Sequence, residues 1–268
     1  MPDHAGVSVI IVNFRTRELT AEAVRSVLDD PALHGVVVVD NGSGDGSAAF
    51  LREAFPLPQV QVVESPENLG FGRGVNLGAT VAEAPFFFLL NSDAVVRPGT
   101  LGLLRRVLVD DPGAGVVAPA VYLADGRTLQ DDAFGPMPAT NALLRTDRSR
   151  RNGNDPGWVS GVAMMLRRDD FLALGGFDPD FVMYLEDVDL CRRIVASGKR
   201  VVREPSATVV HLGGRSGMVP GARVDQFHRS KLVYLRKAGA GPLQLRCAAV
   251  LRMARLVVLR VQTRVRHP

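Results

Sequence analysis

The chain has 268 residues, 46% of them hydrophobic, with a formal net charge of +4 and a sequence pI near 9.5. Those values exclude a disordered polymer and suit one large α/β domain, or one domain with a small appendage, that folds on its own core. Cys191 and Cys247 lie far apart with no metal-ligand spacing, and no apolar run reaches the roughly 20 residues of a membrane span.

VSVIIVNF (Val7 to Phe14) reads as a buried strand, and Arg17 to Leu28 follows with helical spacing. GVVVVDN (Gly35 to Asn41) is a second strand, Gly46 to Phe55 a helix, and Val60 to Ser65 a third strand. After a glycine-rich turn, Val75 to Ala82 is expected to be helical. FFFLLNSDAVV (Phe86 to Val96) then runs five large apolar residues into an amide, a hydroxyl and a carboxylate. A helix over Pro98 to Val109 and a strand over Gly115 to Val121 complete the alternation. Strand–helix repetition of this kind predicts a mostly parallel central sheet with helices on both faces. In such sheets ligands bind beyond the carboxyl ends of the strands, where the polar residues of this chain cluster.

From Leu123 to Asp155 the pattern dissolves into Gly, Pro, Asp and Arg, which predicts a long irregular loop near the active face. GWVSGVAMMLRR (Gly157 to Arg168) reads as one strand carrying the only tryptophan, and Asp169 to Leu174 as a short helix. A helix over Asp187 to Ser197 ends at Gly198, as a helix C-terminus should. Val201 to Val202 and Thr208 to Leu212 are expected to be short strands, the second carrying His211.

The glycines of NLGFGRGVN do not give the dinucleotide spacing, and no phosphate-binding G-x-x-x-x-G-K-[ST] loop exists. That segment is either a turn needing positive φ or backbone that approaches a ligand, with Arg73 near its phosphates. Asn91 and Asp93, at the exit of a buried strand, could hold a divalent cation or merely start a turn. Glu186, Asp187 and Asp189 suit a helix N-terminus electrostatically; on a helix Glu186 and Asp189 also share a face while Asp187 points elsewhere, so one could act as a base while another positions an acceptor. His211 is a candidate further metal ligand.

Seven stretches in order resemble the family 2 glycosyltransferases of the GT-A fold, in the branch containing rhamnosyltransferases. They are VSVIIVNF, VVVVDNGSGDGS, ENLGFGRGVNLG, FFFLLNSDAVV, WVSGVAMMLRRDDF, LGGFDPDFVMYLEDVDLCRR and VVHLGGRS, spanning Val7 to Ser216. The resemblance implies a catalytic domain over residues 1–220, with a nucleotide half (1–122) and an acceptor half (156–220), followed by a basic helical region (221–268). It implies that Val12, Asn13, Arg15, Asp40 and Asn41 hold the base and ribose of a nucleotide diphosphate sugar. Asn68, Gly70 and Arg73 would line the nucleotide and donor sugar. Asn91-Ser92-Asp93 matches the metal triplet, commonly aspartate at both ends, so Asp93 is the expected principal ligand of Mg²⁺ or Mn²⁺, with Asn91 and His211 contributing. Asp187 matches the catalytic base, with Glu186 holding the acceptor or the base, and Trp158 and Gly161 forming the acceptor side.

The resemblance further implies inverting transfer, with dTDP-L-rhamnose the favoured donor and UDP-hexoses or UDP-galactofuranose behind it, to a hydroxyl of a glycan, a lipid-linked acceptor or a natural product in cell-surface polysaccharide or related synthesis. A silent nucleotide-sugar binder and a nucleotidyltransferase are the rival readings. The second lacks its usual glycine-rich loop, because NFRTREL follows the first strand. MPDHAG has neither a basic nor an apolar leader region, so a cytoplasmic setting is expected, or a peripheral one at the inner face of the plasma membrane. In the tail, Leu243, Cys247, Val250, Ala254, Val257 and Val261 share one helix face while Arg246, Arg252, Arg255, Arg260 and Arg264 lie off it. That face suits a membrane surface, or else packing against the catalytic domain or a second subunit. Nucleic acid is not expected, since no base-stacking aromatics accompany the arginines.

Overall fold

A computed structural model describes residues 6–130, 133–134, 156–213 and 220–266. Its frame is an eight-stranded sheet of order β3-β2-β1-β4-β9-β6-β10-β5. The strands are β1 (Val7–Asn13), β2 (Leu33–Asn41), β3 (Val60–Ser65), β4 (Phe86–Asn91), β5 (Ala94–Val96), β6 (Ala114–Leu123), β9 (Ala163–Arg167) and β10 (Arg200–His211). β3, β2, β1 and β4 pair in parallel, as do β6 and β10, whereas β9 and β5 run against their neighbours.

The uninterrupted apolar run of β4 follows from burial on both faces. Phe86, Phe88 and Leu90 point into the core beneath α1 (Arg17–Leu28), α2 (Ser47–Ala54) and α4 (Thr100–Asp110), while Phe87 and Leu89 point into the opposite core. The second core lies under α3 (Phe71–Ala79), α5 (Arg168–Ala173) and α6 (Glu186–Ala196). Each such buried side chain contributes about 1.5–3 kcal/mol, which fixes the strand that presents Asn91.

Four expectations are corrected. α3 begins at Phe71, not Val75, because its glycines let it lie close against the sheet. A Cβ on Gly74 would stand 2.9 Å from Val12 Cγ1, and one on Gly78 would stand 2.7 Å from Ile10 Cγ2. The expected single strand at Gly157 to Arg168 is two, β8 (Trp158–Val159) and β9, separated where the Gly161 N–H turns out of the ladder to Asp187. β8 pairs instead with β7 (Ala133–Phe134). The two short late strands are one, β10, whose register slips between Glu204 and Thr208, where Pro205 has no N–H to give. Lastly, the start of the expected irregular loop is a hairpin in which Leu123 N–H reaches Thr128 O and Gln130 N–H reaches Val121 O. The rest of that loop, 131–132 and 135–155, lies outside the described residues.

The tail forms two helices, α7 (Pro220–Lys237) and α8 (Pro242–Arg266). With α6 they enclose a third core of Phe181, Leu185, Val188, Tyr234, Leu235 and Ala248. The described part of the expected apolar stripe (Leu243, Cys247, Val250) faces outward, and Leu245 and Ala248 face in, so this part of the stripe does not pack on the catalytic domain. Ala254, Val257, Val261, Arg260 and Arg264 lie where side chains are not described. Among the described residues no helix is long and apolar enough to cross a membrane.

Candidate active site

A cavity of about 410 Å³ opens beyond the strand ends, lined among others by Asn91, Asp93, Trp158, Gly161, Glu186, Asp187 and His211. Strand register explains how residues far apart in sequence meet there. β5, too short to read from sequence, turns the chain back after Asp93 and pairs Ala94 with His211. Asp93 O accepts from Leu212 N–H, and His211 Nε2 stands 3.1 Å from Asp93 Oδ1. Gln130, delivered by the hairpin, places Oε1 2.8 Å from His211 Nδ1.

This pair fits a divalent cation. With Nδ1–H donating to Gln130, the Nε2 lone pair and the Asp93 carboxylate face each other, an arrangement satisfied by a proton or a metal between them. Adjacent ligands of an octahedral ion with bonds of about 2.1 Å stand about 3 Å apart. The two side chains are 16% exposed each, and Asn91 borders the same cavity. Among the described residues no group of three His, Cys, Asp or Glu side chains converges, so water or a ligand's phosphates would complete the shell.

Across the cavity, Tyr184 and Leu185 both adopt left-handed backbone, φ 71 and 70. This costs about 1–3 kcal/mol per residue. The turn delivers Glu186 and Asp187 at the start of α6. Asp187 Oδ2 accepts from Gly161 N–H at 2.8 Å and Oδ1 from Val188 N–H at 2.8 Å, which fixes the carboxylate in orientation. Asp187's accessible surface opens into the cavity, while protein otherwise encloses it; that burial raises its pKa, and the two N–H groups only partly offset it. Glu186 is 6% exposed, and its Oε2 has no hydrogen-bond partner. Burial, and then the neighbouring Asp187 charge, push its pKa up to about 8. Burial thus favours the protonated form of Glu186, in which it can donate a hydrogen bond. Asp189, third of the acidic run, is fully buried between Arg192 (2.8 Å) and Arg193 (2.7 Å) and does not line the cavity.

The remaining expected residues gather at the ends of β1, β2 and β3. Asn13 Nδ2 donates to Asp40 Oδ1 at 2.8 Å, and Ser43 Oγ closes on the same oxygen. Arg15, exposed and at φ 57, is held by Ser43, to whose carbonyl its Nε donates at 3.0 Å. Buried Asn41 spends its amide on the loop below it, donating to Asn68 Oδ1 and Gly70 O and accepting from Leu69 N–H. Gly70 is required where it stands, since at φ +84 its Cβ would meet Val182 O at 1.9 Å. Val12 is buried against Gly74. Ser92 Oγ accepts from Thr16 at 3.1 Å. Arg73 is exposed on α3 and does not line the 410 Å³ cavity.

Sequence reading missed Phe134, which stacks on Trp158 at 4.6 Å, and Phe227, which meets Tyr184 edge-on at 6.0 Å. Both line the cavity, as does Arg223. Phe134 sits in a stretch without periodicity; Phe227 and Arg223 sit on a helix whose sequence shows no link to the catalytic segment.

Comparison with known proteins gives the fold and the family. The chain is 28% identical over 234 residues to the N-acetylglucosaminyl-diphospho-decaprenol L-rhamnosyltransferase of Mycobacterium tuberculosis, covering 77% of this chain and 76% of that one. It is 39% identical over 160 residues to the rhamnosyltransferase WbbL of Escherichia coli, covering 53% and 60%. Among solved structures, the mannosyltransferase PcManGT from Pyrobaculum calidifontis in complex with GDP-Man and Mn²⁺ superposes with a TM-score of 0.63 at 18% identity, covering 97% of this chain and 79% of that one; the fold is GT-A. The sequence model described as glycosyl transferase family 2 matches residues 8–175, and the chain belongs to that family, as a glycosyltransferase.

Proposed function

We propose that the protein transfers L-rhamnose from dTDP-L-rhamnose to a hydroxyl of a lipid-linked glycan, with inversion and with a divalent cation. The observation that carries this reading is the fixed Asp187 carboxylate facing the same cavity as Asp93 and His211. Asp93 and His211, with Asn91 beside them, would hold Mg²⁺ or Mn²⁺, which supplies positive charge to a diphosphate leaving group. The acceptor oxygen attacks the anomeric carbon as the bond from that carbon to the nucleotide diphosphate breaks. Asp187 takes the hydroxyl proton, and burial, by raising its proton affinity, suits it to that task. Glu186, in the protonated form that burial favours, orients an acceptor or sugar oxygen by donating to it. One displacement with one base inverts the anomeric centre. The mycobacterial relative's diphospho-decaprenol substrate and the two rhamnosyltransferase relatives support the choice of acceptor class and sugar.

The test pairs binding with turnover. Calorimetry with dTDP-rhamnose, UDP-glucose, UDP-galactose and GDP-mannose, each with Mn²⁺ and then EDTA, is expected to show metal-dependent binding of the first. Asp187→Asn is expected to keep that affinity and lose at least about 100-fold in transfer rate. A variant that retains most of its activity removes Asp187 from the mechanism, and preference for another donor replaces the sugar.

A further inference from the structure

The C-terminal helix pair carries a surface that transfer chemistry does not use. α7 is part of the catalytic body: Tyr234 and Leu235 are buried, and Ser230 Oγ donates to Met183 O at 2.6 Å. Lys237 Nζ reaches Asp178 at 2.6 Å and Asp180 at 2.9 Å. α8 is fastened to α7 by Asp225, which accepts from Arg229 Nε at 2.9 Å and Arg252 Nε at 2.8 Å. Burial alone would raise the Asp225 pKa; the two arginines instead hold it below the ordinary value.

The opposite side of α8 is apolar and open. Leu243 is 74% exposed, Val250 67%, Met253 60% and Leu251 50%. Eleven large apolar side chains are strongly exposed among the described residues, and these four fall within one short segment of one helix. At about 100° per residue, Leu243, exposed Cys247 and Val250 lie within about 60° of each other, with Arg246 and Met253 on one flank and Leu251 on the other. Pro242–Arg266 contains six arginines and no acidic residue, and the only acid of α7, Asp225, is already engaged by Arg252. A second copy is a poor occupant, because an isologous contact would set one copy's arginines near the other's.

We propose that this arc docks the enzyme on an anionic phospholipid surface, with α8 lying in the plane of the interface, its apolar side chains among the acyl chains and the flanking Arg246 at the phosphates. α7 also lines the catalytic cavity through Arg223 and Phe227, so docking α8 sets the cavity in a fixed relation to the lipid. The proposal stands apart from the donor and acceptor assignments, since a bare lipid surface reads it.

The experiment is co-sedimentation of the full chain with phosphatidylcholine vesicles and with vesicles containing about one-third phosphatidylglycerol, without sugar nucleotide, at low and high salt. Binding is expected to the anionic vesicles and to weaken with salt. Val250→Glu combined with Met253→Glu is expected to lower the partition coefficient at least about tenfold, and Arg246→Gln roughly fivefold on anionic vesicles only. All three side chains are exposed, so thermal unfolding should be unchanged. Absence of binding to anionic vesicles overturns the proposal, as does binding that ignores both variants. Concentration-dependent self-association abolished by the double variant would assign the arc to a second copy instead.

Discussion

Replacing Glu186 with glutamine removes an ionisable group but keeps its volume, so its effect isolates one proton. In the folded protein this carboxyl titrates at about 8, against an ordinary 4.5. A raised folded-state pKa means that its contribution is fully present below about pH 4.5 and is lost as pH rises through about 8. Each pH unit well inside that window costs about 1.4 kcal/mol, so between about pH 5.5 and pH 7.5 the wild type loses roughly 2–3 kcal/mol that Glu186→Gln does not. For a chain of this size that is about 5–10 °C in melting temperature. Asp187, also raised, remains in both proteins, and carboxylates held low elsewhere, such as Asp178 and Asp225, cancel in the comparison. The buried glutamine amide shifts the absolute stability, but not its slope with pH. Thermal unfolding of both proteins across this range at constant ionic strength reads the difference. A melting-temperature gap that does not change with pH would show that Glu186 is ionised in the folded state and refute its role as a neutral donor.

Two further outcomes test other parts of the site. Gly70→Ala places a methyl group 1.9 Å from Val182 O at a backbone angle open to glycine, so it should cost more than about 2 kcal/mol; unfolding within about 1 °C of wild type would contradict the packing described. Gln130→Ala, which frees the outer nitrogen of His211, should weaken Mn²⁺ binding about tenfold by calorimetry, and Asp93→Ala should weaken it further; unaltered titrations would locate the cation elsewhere.

How much was legible in the sequence depended on the range of the interaction. Strands β1, β2 and β4 announce themselves because burial on two faces demands apolar runs, whereas β3, at the sheet edge, is marked only by its valines; the polar residues at the strand exits mark the open edge of the sheet. The acidic run was legible as a candidate site, but not how its carboxylates divide between the cavity and a buried ion pair. Helical spacing pairs Glu186 with Asp189, yet the left-handed turn at Tyr184 and Leu185 exposes Glu186 and Asp187 to the cavity and leaves Asp189 to Arg192 and Arg193. β5 has three residues, too few for any period, yet its pairing with β10 sets Asp93 beside His211. The tail stripe was correctly periodic, but periodicity says only that a face exists. The direction it faces was decided by Leu245, Ala248 and Arg252 finding partners on the other side.

The paired left-handed residues before α6 also bear on how this enzyme could be changed. Any effort to raise its thermal tolerance by relieving unfavourable backbone would arrive first at Tyr184 and Leu185, because glycine adopts those angles freely. The exchange would remove Leu185 from the third core and Tyr184 from Phe227, and would let the next two carboxylates sample several orientations. Heat resistance and turnover therefore draw on the same two positions, and adaptation to a warmer setting should act on the outer helices before it touches this turn.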